Sequence, residues 1–228
     1  MAVRAATAAA TDTTAGGLHS REALLRSVEE LELEWTGRIF KDDAEETTLY
    51  GDAETIYRKI LALNPEYVAE DINPIDSSFD SQNITIEAVD DFGIAKRQQD
   101  GDVLSCGHVM ATGDHGNIRS AGSYLRGIGG TCRAPVADCR RMTCQNTTGT
   151  YLCGETKAAA ISCHEAGNLV QAVFVNCCRG GGSAAAHIYR KRDLSIWVGY
   201  ANCNHSPKKR PTDYPYPGGR VNGNCIRG

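Results

Sequence analysis

The chain has 228 residues, 41% of them hydrophobic, with 28 Asp+Glu against 24 Lys+Arg for a net charge of −4. That length suits one large domain or two small ones. No stretch approaches the ~18 consecutive apolar residues of a membrane-spanning helix, which excludes a helical span.

The mild net charge hides an asymmetry. Residues 1–97 hold 20 acidic and 9 basic residues, net −11, whereas residues 98–228 hold 8 acidic and 15 basic, net +7. All ten cysteines, Cys106, Cys132, Cys139, Cys144, Cys153, Cys163, Cys177, Cys178, Cys203 and Cys225, fall in the second piece. Two polypeptides with different jobs are therefore expected: an acidic, mostly helical, cysteine-free pro-domain over 1–97 and a basic mature domain over 98–228.

In chain order, residues 1–18 are small and polar and read as a disordered arm. The opening MAVRAATAAATDTTAGG lacks the Leu/Val-rich run of an export signal, so a secreted form implies that a signal has been removed or that the route is hidden. Leu24, Leu25, Val28, Leu31 and Trp35 then share one helical stripe, with Ser20 placed to cap it. A second helix is expected in DAETIYRKILALNP, where Ile56, Ile60 and Leu63 face one way, Asp52 caps and Pro65 stops it. NITIEAV at 83–89 has strand character.

In the basic piece, Ile118, Ala121, Leu125 and Ile128 lie at helical spacing, and Gly129-Gly130 ends that helix. RMTCQNTTGTYLCG predicts a hairpin turning between Asn146 and Gly149. Leu169, Val170, Val173, Phe174 and Cys177 line a second helix. AAAHIY and LSIWVGY flank Arg190-Lys191-Arg192-Asp193 as a second hairpin, with Leu194, Ile196, Val198 and Tyr200 alternating inward. The expected fold is α+β, a disulfide-rich α/β sandwich of two helices on an antiparallel sheet. A Pro/Gly tail follows from residue 204, expected to be tied down only by Cys225.

Cysteine usage points to an oxidising, extracellular setting. Zinc is the rival, but Cys139-x4-Cys144 has no matching second knuckle, so no metal and no cofactor is expected. The pairing stays open from sequence, except that adjacent Cys177 and Cys178 should each pair elsewhere. Lys96-Arg97 coincides with the change in charge and in cysteine use, and has the form of a kexin-type processing site. The acidic leader could then dock on the basic domain and shield it until cleavage. Arg190-Lys191-Arg192 and Lys208-Lys209-Arg210 are poorer sites, the first held in a hairpin and the second followed by Pro211. Asn83-Ile84-Thr85, Asn146-Thr147-Thr148 and Asn204-His205-Ser206 are glycosylation sequons consistent with export.

No set of side chains forms a recognised catalytic pattern. His164-Glu165 opens a helix, where Glu favours the dipole in any case. The candidate contact residues are cations on rigid segments: Arg140 and Arg141 between cysteines, and Arg190, Lys191 and Arg192 at a hairpin tip. Such groups suit an acidic surface such as a channel mouth, anionic lipid or nucleic acid.

The runs NIRSAGSYLRGIGGTC, CRRMTCQNTTGTYLCGE, CHEAGNLVQAVFVNCCRGGG and LSIWVGYANC resemble the small cysteine-rich secreted proteins of filamentous fungi, and in particular the killer-protein-four family of virally encoded toxins with homologues among fungal effectors. The likeness covers about residues 103–203. It implies an α/β sandwich and toxicity to competing cells through interference with calcium uptake, with basic surface residues involved. The family's cysteine-bracketed basic run corresponds to Arg140 and Arg141, although its nearby lysine is missing. By the same matching Cys139 would pair with Cys163 and Cys144 with Cys203, while Cys153 and Cys225 have no clear counterpart. The resulting expectation is a non-enzymatic, monomeric secreted effector or toxin, cut by a kexin-type protease and directed at a host or competitor-cell surface. The alternatives are a ribonuclease-like hydrolase using His164 or His187, and a cell-wall glycan-binding module stacking sugars on Trp197 and Tyr200.

Overall fold

The computed structural model describes residues 32–73, 84–87, 102–106, 111–177, 183–190 and 193–214. In chain order they form β1 (Glu34–Gly37), β2 (Thr47–Tyr50), α1 (Ala53–Leu63), α2 (Ala69–Ile72), β3 (Ile84–Glu87), β4 (Asp102–Cys106), β5 (Gly113–Asp114) and α3 (His115–Ile128). There follow β6 (Thr131–Ala134), β7 (Cys139–Gln145), β8 (Thr148–Gly154), β9 (Ala159–Ser162), α4 (Cys163–Asn176), β10 (Ser183–Ala184), β11 (Ala186–Arg190), β12 (Leu194–Tyr200) and a 3-10 turn at Pro211–Asp213.

The three longer helices follow apolar spacing, and side-chain caps start two of them. Asp52 accepts from the Thr55 N–H at 2.8 Å to start α1, and Asp114 accepts from the Asn117 N–H at 2.9 Å to start α3, each satisfying an otherwise unpaired amide. In α1 Ile56 and Ile60 are fully buried, whereas Leu63, expected on the same stripe, is 55% exposed at the helix end. In α3 the expected Ile118, Ala121, Leu125 and Ile128 are all buried. The helices α3 and α4 touch through glycines: a Cβ on Gly167 would stand 2.7 Å from the Gly122 carbonyl oxygen, so only glycine permits this approach.

Mixed α+β architecture with antiparallel sheets is as expected, but there are two main sheets. A six-stranded sheet runs β3-β4-β11-β12-β8-β7, antiparallel except for the parallel β3–β4 pair, and a four-stranded antiparallel sheet runs β2-β1-β6-β9. Leu104, Leu152, Ile188, Ile196 and Val198 of the larger sheet join Ile118, Leu125, Leu169, Val170 and Val173 of the helix pair in one buried core.

The stretch around Trp35 departs from expectation. It is strand, not the end of a helix: Trp35 lies opposite Leu49 on one side and Cys132 on the other. Leu33, Trp35 and Ile39 are buried while Glu34 and Thr36 are half-exposed, the period-2 pattern of a strand. The described part of 1–97 is accordingly mixed α and β. Leu24, Leu25, Val28 and Leu31, and the arm over 1–18, lie outside the described residues.

Four disulfides join the described cysteines: Cys106–Cys177, Cys132–Cys163, Cys139–Cys153 and Cys144–Cys203. The Cys144–Cys203 pairing implied by the family resemblance is present. The implied Cys139–Cys163 pairing is not, because Cys139 faces Cys153 across the β7–β8 hairpin and Cys163 is taken by Cys132. The reason is a bulge: register shifts between Arg141 and Thr143, and that single extra residue moves Cys139 opposite Cys153. Cys178 and Cys225 lie outside the described residues.

The tail also differs from expectation over its described part. Up to Tyr214 it is packed on the protein, with Pro211 buried and Tyr214 only 8% exposed.

Candidate functional site

Strand alternation turns Tyr151 and Cys153 of β8, and Ser195, Trp197 and Gly199 of β12, away from the helices. Trp197 stands opposite Tyr151, and Tyr151 opposite Arg141, so an arginine, a tyrosine and a tryptophan share one row across three strands. The segment after Cys203 crosses this outer face. Tyr151 Oη donates to the Lys209 carbonyl at 2.6 Å, and burial pushes this phenol up to about 12, so it stays a donor. A Cβ on Gly199 would come 2.9 Å from Pro211 Cβ, so the bare backbone there lets the proline lie flat on β12. Tyr214 Oη accepts from the Asn202 N–H at 2.9 Å, and Asp213 accepts from the Arg210 N–H at 2.8 Å, closing the 3-10 turn.

This docking gathers cations on aromatic supports. The Arg210 guanidinium lies 5.4 Å from the Trp197 ring centroid and donates to Cys139 Sγ at 3.6 Å. Lys209 Nζ is 4.6 Å from the Tyr214 centroid. Tyr214 in turn meets Tyr200 edge-on at 4.9 Å and lies parallel to His205 at 5.8 Å. Arg141 Nη1 donates to the His205 carbonyl at 3.2 Å. Each cation–ring contact is worth only ~0.5–1 kcal/mol at an exposed site. Their larger effect is orientation: the disulfides Cys144–Cys203 and Cys139–Cys153 hold the strands and loop that carry all four cations, Arg141, Lys208, Lys209 and Arg210.

Beside Arg210 is a hollow of about 210 Å³, lined by Asp138, the Cys139–Cys153 bridge, Glu155, Lys208 and Arg210 among others. Burial alone would raise the Asp138 pKa. Hydrogen bonds from Arg140 and the Cys139 N–H, then Lys208, outweigh it and hold the carboxyl below its ordinary value. Asp138 Oδ2 accepts from Arg140 Nη1 at 2.7 Å and lies 3.1 Å from Lys208 Nζ.

The residues singled out from sequence are spread over different surroundings. Arg141 belongs to the cation cluster. Arg140, expected to project, is 8% exposed and spends its charge on Asp138. Arg190 ends β11, in register with Leu194 and Asp102, while Lys191 and Arg192 lie outside the described residues, as do Lys96 and Arg97. His164 is half-buried in the first turn of α4, with desolvation lowering its pKa, and His187 is on β11 opposite Trp197. Trp197 is half-buried on the cation-bearing face, and Tyr200, half-buried at the end of β12, alternates to the other side and meets Tyr214 edge-on. Sequence reasoning treated Lys208-Lys209-Arg210 only as a poor cleavage site. The available signal was Pro211: three cations ended by a proline, just after a cysteine, mark a bend of limited freedom.

Among the described residues no three His, Cys, Asp or Glu side chains are grouped to hold a metal, and no helix is long and apolar enough to cross a membrane. Comparison with protein-family models, curated proteins and solved structures finds no match to this chain.

Proposed function

We propose that this chain is a secreted, disulfide-stapled effector or toxin of the kind the killer-protein-four resemblance suggests, acting on host or competitor cells by binding and not by catalysis. It is made as a precursor and cut after Lys96-Arg97 by a kexin-type protease. The observation that carries the binding reading is the surface formed by Arg141, Lys208, Lys209 and Arg210, with Arg210 over Trp197, Lys209 over Tyr214 and two disulfides tying the strands and segment that carry them. Four cations with restricted motion lose little freedom on meeting an acidic partner, which favours both encounter rate and selectivity. An acidic protein rim at a membrane, such as a channel mouth, fits this surface. The multiple disulfides support an extracellular setting.

The test is the variant Lys208→Glu/Lys209→Glu/Arg210→Glu, compared with a charge reversal on the helix side, Arg119→Glu. Growth inhibition or cell binding should fall at least ~10-fold in the triple variant and hold in Arg119→Glu, and wild-type binding should weaken with added salt. Full activity in the triple variant would sink the reading. Loss of activity in His164→Ala or His187→Ala, with the fold intact, would favour the hydrolase instead.

A further inference from the structure

The acidic piece is not merely laid on the surface of the cysteine-rich piece; its described residues supply strands to both main sheets and side chains to one common core. Strand β1 is central in its sheet, with β2 on one side and β6 on the other. Trp35 is fully buried, and its indole N–H donates to the Gly129 carbonyl at 2.8 Å. A Cβ on Gly130 would stand 2.7 Å from the indole nitrogen, and Gly129 and Gly130 have φ of +54° and +63°. The Gly-Gly pair that ends α3 is thus also a socket shaped for this ring.

Further ties follow the same pattern. Tyr67 Oη donates to the Ile128 carbonyl at 2.6 Å, beside the same socket. Strand β3 adds in parallel to the β4 edge of the large sheet, and Glu32 forms an isolated bridge with Arg141 of β7. Across the boundary Glu34 meets Arg133 at 3.8 Å, a half-exposed pair of small weight. Backbone pairing and apolar burial join the described pieces. Since every cysteine lies at or after Cys106, no disulfide can join the pieces.

We propose that residues 32–73 and 84–87 belong to a permanent, non-covalent subunit of the folded protein, so that a cut between residues 88 and 101 produces a two-chain complex and does not free the basic domain. The position of the cut rests on the processing reading above; the interface does not. The leader is then half of the active molecule, and its partner is the β6 edge with the Gly129-Gly130 socket.

The test cuts the purified full chain, unreduced, with a kexin-type protease. It follows the products by native size exclusion and by intact mass in denaturant. The expected result is one native peak, at the elution volume of the uncut protein, that resolves in denaturant into fragments 1–97 and 98–228. Trp35→Ala, cut in the same way, should weaken the association at least ~100-fold and split the peak at micromolar concentration. Tyr67→Phe serves as the milder variant if Trp35→Ala does not fold. Two native peaks from the cut wild type would overturn the proposal. If the protease leaves Lys96-Arg97 intact, the processing reading fails, and a specific protease sequence inserted between residues 88 and 101 gives the same one-peak or two-peak answer for the interface.

Discussion

Substituting Trp35 by phenylalanine asks whether the acidic and basic pieces unfold as one. Trp35 is fully buried and its indole is the donor to the Gly129 carbonyl. Phenylalanine leaves that carbonyl without its partner, at about 1–3 kcal/mol, and the smaller ring adds a further ~1 kcal/mol of unfilled space. The expected loss is therefore about 2–4 kcal/mol, which for a chain of this size lowers Tm by about 5–15 °C. The chain has two tryptophans, so in this variant all indole fluorescence comes from Trp197 on the far face of the large sheet. Unreduced protein is melted in urea and by heat, with Trp197 emission recorded beside far-UV circular dichroism. Both transitions should move to lower midpoints together. A Trp197 transition that keeps its wild-type midpoint while the dichroism changes would mean two independent units, and the single-core reasoning would fail.

Removing disulfides should rank by the loop each closes. Cys144–Cys203 spans 59 residues and Cys139–Cys153 spans 14, so the chain-entropy account assigns about 4 and about 3 kcal/mol. Paired Cys→Ser variants should show the former as the less stable in urea, and the reverse order would contradict that account. His164 supplies a pH test. Desolvation, with Arg126 adding to it against Glu70 and Glu165, lowers its folded pKa, so the unfolded chain takes up the proton first. The stability that His164 contributes is whole above about pH 6.5 and declines as pH falls from there towards the lower folded pKa. His164→Asn should flatten that part of the urea-midpoint profile, and an NMR titration placing His164 at or above its ordinary value would refute the assignment.

Elements set by neighbours in sequence were legible, and elements set by distant partners were not. The helices α1, α3 and α4 and the two hairpins could be read because stripe and turn, and for α1 and α3 the cap, lie within a dozen residues of one another. Asn146, at φ +53°, supports the tight turn that was expected. The run Glu30-Leu31-Glu32-Leu33-Glu34-Trp35 carried two periods at once, since Leu31 and Trp35 fit a helix while Leu31, Leu33 and Trp35 fit a strand. What decides between them is Cys132, about a hundred residues away and opposite Trp35 in β6. A non-local pairing of that kind leaves no local mark. The Cys139 partner was hidden by a smaller cause, one bulge residue that no turn rule anticipates.

The cation cluster shows the same division. Arg140 and Arg141 are adjacent in sequence and look equivalent, yet strand pleating sends them to opposite faces, and only Arg141 meets the docked segment. Lys209 and Arg210 look like loop cations until Tyr214 and Trp197 supply rings to rest on, while Lys208 settles against Asp138. If the surface acts through its fixed geometry, charge alone should not suffice. Replacing Trp197 by leucine keeps every cation and removes the ring beneath Arg210, so binding to an acidic target should fall by a few-fold with an unchanged salt slope. Unchanged binding in Trp197→Leu, with the full weakening by salt retained, would instead describe a diffuse positive field, in which the tryptophan has no part.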